Sequence, residues 1–446
     1  MREKIIFFSF FLTLFLANSY SWTMHKIMWP VKFGMLGLFI LYVVRTVKSE
    51  QIKITRYIPE YVLPCVAFFA AVNAYTLLTI NDSWKYARVV GMEAEYSVKM
   101  LIGFLLIPLF AVQLVRYLTA PGHKAAFFFA MKYSTAFVTY SNLALYVMGM
   151  NLGRGADAGL ASRFSGWLDN PNTLGMILLG AFPFILIAAL RQKDVLSFES
   201  LLLFSMLLLI FLTGSRATLL GVVVVSSLLI WQHPGFIRDL FVFACLVIVA
   251  IMLLEESPLD LLRYLPQFSR ETEDILSGRS VAWKLGWTLF QERPFVGYGM
   301  GSEKVLIKAL LPPTAEHQGA NLHNSYLSLL VSSGLVGGTP LFFLITMGLK
   351  NALRVLAGAG RNSGFTVLMS ALFLGLFCHA FFETWIFSPG SVYGVIFWTA
   401  CFWLLSRQQF SVQPIPGPRR RPLERRNSGR RTGPLRSSYS AQETRE

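Results

Sequence analysis

Charge is what this sequence has little of. Only 14% of its 446 residues are Asp, Glu, Lys or Arg, whereas a soluble domain carries about 25%. That shortfall, with 54% hydrophobic residues, excludes an ordinary soluble fold. Cysteine is scarce too. Cys65, Cys245, Cys378 and Cys401 each lie inside an apolar run, where a thiol behaves as a small hydrophobe, so neither a disulfide framework nor a thiolate metal site is expected. There is no Walker A sequence, no HExxH and no GxSxG, which leaves ATP-driven and protease chemistry without support. No internal repeat is visible.

Long apolar runs recur from Ile5 to Leu405. A helix rises about 1.5 Å per residue, so a hydrocarbon core of about 30 Å takes about 20 of them. Lipid cannot satisfy backbone amides, so only helices or closed barrels span it. These runs are continuous and do not alternate with period two, which selects helices. The sequence predicts an all-α, polytopic transmembrane helical bundle of about 12 spans: 5–21, 31–47, 58–80, 97–118, 125–149, 172–190, 198–213, 216–232, 237–254, 324–346, 364–382 and 390–406. Abundant Phe, Trp and Tyr suit lipid contact and interfacial belts.

Positive charge in short connections sets orientation. Arg2 and Lys4, then Arg45, Lys48, Lys53 and Arg56, Arg116 and Lys124, Arg191 and Lys193, Arg238, and Lys350, Arg354 and Arg361 all fall on one side. Both termini are therefore expected in the cytoplasm, and the net charge of +16 reports topology, not nucleic-acid binding. Residues 5–21 read as a retained first span or, through small Ala17 and Ser19, as a cleaved signal peptide; the retained span is favoured. The expected domains are a membrane domain, 1–408, with a long outer loop inserted at 255–322, and a disordered basic tail, 409–446, with nine arginines against three glutamates. Such a tail is a topology anchor or an attachment to anionic lipid.

The outer side holds the candidate chemistry. A connection from Glu255 to Leu322 far exceeds the usual loop length of about 4–6 residues, which points to function. It carries Arg263, Arg270, Arg279, Lys284, Arg293, Lys304 and Lys308, and a shorter outer loop carries Arg154 and Arg163. These are either a solvated surface or a seat for an anionic substrate. The apolar stretch 201–231 would make one helix about 46 Å long, too long for one untilted span. A break is expected at Thr213-Gly-Ser-Arg216, with Thr213 or Ser215 as cap. Arg216 would then sit at a helix N-terminus, where its charge opposes the dipole unless an anion lies between them. A phosphate or diphosphate fits, because Arg binds it through a planar fork. The plainer reading is an Arg snorkelling to the interface.

Of six histidines, His25, His123 and His233 lie at span ends, His317 lies within the outer loop, and His379 reads as a partner between helices. His323 stands where that loop re-enters the membrane, and a neutral imidazole there can accept a proton. Gly297, Gly299 and Gly301 read as turn glycines. Glu271, Glu273 and Asp274 read as a solvated face.

Several short motifs together resemble the O-antigen ligase and polymerase superfamily of bacterial envelope glycosyltransferases, most closely the ligases. They are Arg163-Phe-Ser-Gly-Trp-Leu-Asp-Asn-Pro-Asn172, Gly214-Ser-Arg-Ala-Thr218, Gly278-Arg-Ser-Val-Ala-Trp283, Pro294-Phe-Val-Gly-Tyr-Gly299, His323-Asn-Ser-Tyr-Leu327 and Gly334-Leu-Val-Gly337. The resemblance implies a GT-C-like bundle in the inner membrane and an inverting transfer at the periplasmic face, with no metal and no cofactor. The donor would be a glycan on undecaprenyl diphosphate, and the acceptor a sugar hydroxyl of lipid A-core or, in a polymerase, another lipid-linked repeat. It implies essential roles for Arg216, Arg279 and His323: the arginines hold the diphosphate and the imidazole serves as base. The role of Arg279 rests on resemblance alone. Arg163 is a weaker candidate for glycan or phosphate contact, and Glu383 for orienting the base.

A single dominant outer loop favours ligase over polymerase. A protein-glycosylating oligosaccharyltransferase would be expected to carry more C-terminal outer sequence. A lipid-linked glycan transporter would place charge at mid-membrane and show repeated halves, and a structural scaffold would need no such outer charge.

Overall fold

A computed structural model describes residues 2–16, 22–49, 58–80, 84–120, 122–152, 163–192, 194, 196–231, 279–311, 321–358, 363–388 and 391–406. The expected span 237–254, the tail 409–446, Arg154, Arg263, Arg270, the Glu271–Asp274 group, His233, His317 and Cys245 lie outside the described residues. So do Lys53, Arg56, Lys193, Arg238 and Arg361.

The regular structure of the described residues is helical, with no strand among them. In chain order the helices are α1 (Arg2–Leu16), α2 (Trp22–Ser49), α3 (Leu63–Leu78, entered through a π-helical turn Ile58–Val62), α4 (Ala87–Met92), α5 (Ala94–Thr119), α6 (His123–Val147), α7 (Pro171–Leu190), α8 (Phe198–Leu212) and α9 (Arg216–Trp231). They continue with α10 (Arg279–Glu292), α11 (Ser302–Leu310), α12 (Ser325–Leu356), α13 (Gly364–His379) and α14 (Val392–Ser406). Four stretches are long and apolar enough to cross a membrane: Glu60–Leu78, Ala94–Thr119, Pro171–Leu190 and Ser325–Leu356. The shorter apolar helices α8, α9, α13 and α14 reach only about 24 Å at the α-helical rise.

The bundle centre is α7, α13 and α14. Almost every side chain of α14 is buried, from Val392 to Ser406, and α7 is buried over most of its length. A helix apolar all round belongs inside a bundle. Close backbone approach does the packing: Gly221 of α9 faces Gly375 of α13, and a Cβ on either would overlap its neighbours. Helices at the periphery turn large side chains outward, among them Leu41, Phe68 and Phe204, as lipid contact requires.

The expected span from 324 is corrected by a break. At Gly334 the chain takes φ 61° and ψ −168° inside α12, a region essentially restricted to glycine. Two helices therefore meet there, the second starting from Leu335. Such a break exposes backbone groups that lipid cannot satisfy. The loop 294–299 supplies the partners. Tyr298 N donates to Val331 O (3.0 Å) and Gly299 N to Ser332 O (2.7 Å), while Leu335 N donates to Pro294 O (2.7 Å) and Val336 N to Phe295 O (2.9 Å). Gly297 and Gly299 have positive φ, and a Cβ on Gly297 would strike the Ser332 backbone. The Pro294–Gly299 and Gly334–Gly337 motifs are thus two sides of one backbone lock. Gly334→Ala should lose about 1–3 kcal/mol, readable as a lower unfolding temperature of the purified protein in detergent.

A second apolar cluster forms a cap. Val90, Ala282, Leu289, Phe290, Tyr298, Leu306, Ile307, Leu322 and Val331 join α4, α10 and α11 to the first half of α12. Glu303 is buried beneath it and accepts from Ser332 Oγ at 2.9 Å. Burial pushes its carboxyl above the usual range. Glu303→Gln should therefore preserve folding, whereas Glu303→Lys should lower the yield of membrane-inserted protein, because it buries an unpaired charge.

Candidate active site

The site begins with asparagines that shape the segment before α7. Asn151 Oδ1 accepts from Ser165 N (3.1 Å), Ser165 Oγ (2.9 Å) and Gly166 N (3.1 Å), and Asn151 Nδ2 donates to Arg163 O (3.1 Å). Asn142 Oδ1 accepts from Trp167 N (3.1 Å). Asn170 then caps α7 by accepting from Thr173 N (3.0 Å), with Pro171 at the first helical position, a favourable pairing for a helix start. The result fixes Arg163 and Asn172 on one side of the helix entrance. Arg163 Nε donates to Thr213 O at 2.8 Å and Arg163 Nη2 to Asn172 Oδ1 at 2.6 Å.

Thr213 belongs to the turn between α8 and α9, where the sequence predicts a break. Gly214 has φ 58°, Thr213 Oγ1 accepts from Ser215 N (3.2 Å), and Ser215 Oγ accepts from Thr218 N (3.4 Å). Arg216 is the first residue of α9 and is partly buried. Thr218 lies 3.5 Å from His379 Nε2, and His379 Nδ1 accepts from Trp385 Nε1 at 3.0 Å. His379 is thus a partner between helices, which links the Arg216 turn to the segment after α13.

That segment, 380–388, is laced to the start of α12. Ser325 N donates to Ala380 O (2.9 Å), Ser325 Oγ donates to Glu383 O (2.7 Å), and Asn324 N donates to Thr384 Oγ1 (3.1 Å). Asn324 caps α12 by accepting from Tyr326 N and Leu327 N, both at 3.0 Å. Trp283 of α10 reaches across to donate to Leu322 O at 2.8 Å. Between these anchors His323 has φ 49°, the one positive φ at a non-glycine among the described residues. Such a conformation costs about 1–3 kcal/mol and persists only where the surroundings over-determine it.

Glu383 is the hub. Its Oε1 accepts from Arg279 Nη2 at 2.8 Å and from Asn172 Nδ2 at 2.8 Å, and its Oε2 lies 3.1 Å from His323 Nδ1. The residue is 8% exposed. Burial alone would push its carboxyl above the usual range, but the hydrogen bond and charge of His323 and the charge of Arg279 outweigh burial and hold the carboxyl below that range. An ionised Glu383 can only accept from Nδ1. The imidazole is then protonated at Nδ1, and its Nε2 is left as the basic nitrogen. Among the described residues, no group of three or more His, Cys, Asp or Glu could hold a metal ion.

Residues 201–342 match the O-antigen ligase family. The match contains Arg216, Arg279 and His323, and it supports the O-antigen ligase and polymerase superfamily. No curated protein matches the chain. Together with the apolar helices, the match supports a multi-pass membrane protein of the bacterial envelope and a glycosyltransferase-like ligase or polymerase activity. Of the site residues expected from sequence, the structure brings Arg279 and His323 onto the Glu383 carboxylate. Arg163 joins them through Asn172, and its polar head turns inward to Thr213 and Asn172. Arg216 is placed by its turn, which shares Thr213 with Arg163 and reaches His379 through Thr218. Asn172 closes one of the motifs, but the sequence alone assigns it no role. Its only local signal is its place in the Asp-Asn-Pro-Asn run at a helix start, which reads as capping and conceals a partner 211 residues away.

Proposed function

We propose that this protein is an O-antigen ligase, moving a glycan from undecaprenyl diphosphate to a sugar hydroxyl of lipid A-core at the periplasmic face, with inversion and without metal. The observation that carries the proposal is the Glu383 carboxylate bridging Arg279 and His323, a proton acceptor beside a fixed cation. Nε2 of His323 takes the acceptor hydroxyl proton as that oxygen forms its bond to the anomeric carbon. The bond from that carbon to the diphosphate oxygen breaks, and its electron pair leaves on the diphosphate. Arg216 and Arg279 offset that growing charge, as preorganised donors do most effectively in a dry site. Glu383 orients the imidazole and stabilises its protonated form.

Arg216→Lys should lower transfer by about 10²-fold or more, because an ammonium cannot reproduce the planar fork; initial rates in proteoliposomes read this. Polymerase activity is the second reading, since the superfamily holds both. Reconstitution with lipid-linked glycan and two acceptors separates them by product mass: glycosylated lipid A-core for a ligase, a lengthened lipid-linked chain for a polymerase. No product with either acceptor would favour a lipid-linked glycan transporter.

A further inference from the structure

We propose that Asn172 is a positioning residue, a neutral bridge that holds the Glu383 carboxylate in register with the turn carrying Arg216. This rests on the transferase reading above. The amide stands between a cation and an anion, with its carbonyl accepting from Arg163 Nη2 at 2.6 Å and its NH2 donating to Glu383 Oε1 at 2.8 Å. Only one orientation of the amide satisfies both neighbours, so a donor-acceptor side chain is needed at this position. Asn172 is itself fixed in the first turn of α7 by Pro171 and the Asn170 cap. Arg163 carries the connection onward through Thr213 O at 2.8 Å, three residues before Arg216. One end of the bridge therefore senses the α8–α9 turn, and the other sets a carboxylate oxygen that Arg279 also holds.

The residue type follows from the charges it faces. Around Glu383 stand Arg279 from α10, His323 before α12 and His379 at the end of α13, with Arg163 behind Asn172. An aspartate at 172 would keep Arg163 but oppose Glu383 and add an anion near His323. An alanine would leave one oxygen of Glu383 without its second donor and uncouple the two turns.

The test uses the full-length protein in proteoliposomes with lipid-linked glycan and lipid A-core. Asn172→Ala should lower kcat by about 100-fold, the cost of a small misplacement of reacting groups, with the acceptor KM nearly unchanged. Asn172→Asp, which is isosteric and keeps the helix start intact, should move the acid limb of the kcat/KM profile to higher pH, because an added anion favours the protonated imidazole. Lower thermal stability with an unmoved profile would assign Asn172 a merely structural part and overturn the proposal. Wild-type rate and profile in both variants, while His323→Ala is inactive, would overturn it alone. A fully active His323→Ala would remove the transferase reading and this proposal with it.

Discussion

His323→Ala is expected to abolish glycan transfer while the protein still inserts and purifies as the wild type does. General-base help is worth about 10²–10⁴-fold, and here the imidazole is the basic group held against the Glu383 carboxylate. Folding should survive because the fold does not lean on the ring. The turn is fixed through its backbone and its neighbours: Trp283 on Leu322, Thr384 on Asn324, and Glu383 O and Ala380 O on Ser325. Transfer rate and detergent unfolding temperature, measured on one preparation, separate the two effects.

The second large effect is expected at Glu383. Glu383→Ala removes the one group that holds Arg279, Asn172 and His323 together. It leaves a guanidinium and an amide facing inward without their acceptor, a change that costs far more than the net worth of the bonds. Transfer should fall by about 10²–10⁴-fold, with a loss of stability that His323→Ala does not show. Glu383→Gln should keep most of the stability but lose the anion that fixes the imidazole tautomer. A pH signature accompanies this. The folded-state carboxyl lies below its usual range, so the stability it contributes is present above the unfolded carboxyl value and is lost as pH falls through the depressed folded value. The wild type should thus lose stability on acidification through that window, and Glu383→Gln should lose less. Thermal melts across the acid range read the difference.

Much of this architecture is legible in the sequence because lipid imposes a simple rule. Apolar length marks the helices, and the excess length of 201–231 marks the break before Arg216, which the structure puts at Thr213–Ser215. Gly297 and Gly299 read correctly as turn glycines, but their task does not follow from the sequence. The break at Gly334 needs a second strand of backbone to satisfy it, and that partner, 294–299, lies outside any helical period. The site divides the same way. His323 stands out because a lone imidazole at a loop-to-membrane junction is chemically conspicuous. Arg279 does not stand out from Arg263, Arg270 and Arg293, because what distinguishes it is a carboxylate 104 residues further on. Glu383 looks like an ordinary helix-end acid until Arg279, Asn172 and His323 converge on it. Periodicity records which face of a helix is buried and carries no information on which loop ends meet.

On this mechanism His323 and Glu383 act as one unit, the carboxylate working through the imidazole. A double-mutant cycle on single-turnover transfer with Glu383→Gln, His323→Ala and the pair tests it most directly. The double variant should be no slower than His323→Ala alone. Losses that multiply, with the double variant slower than His323→Ala by the full factor of Glu383→Gln, would contradict it.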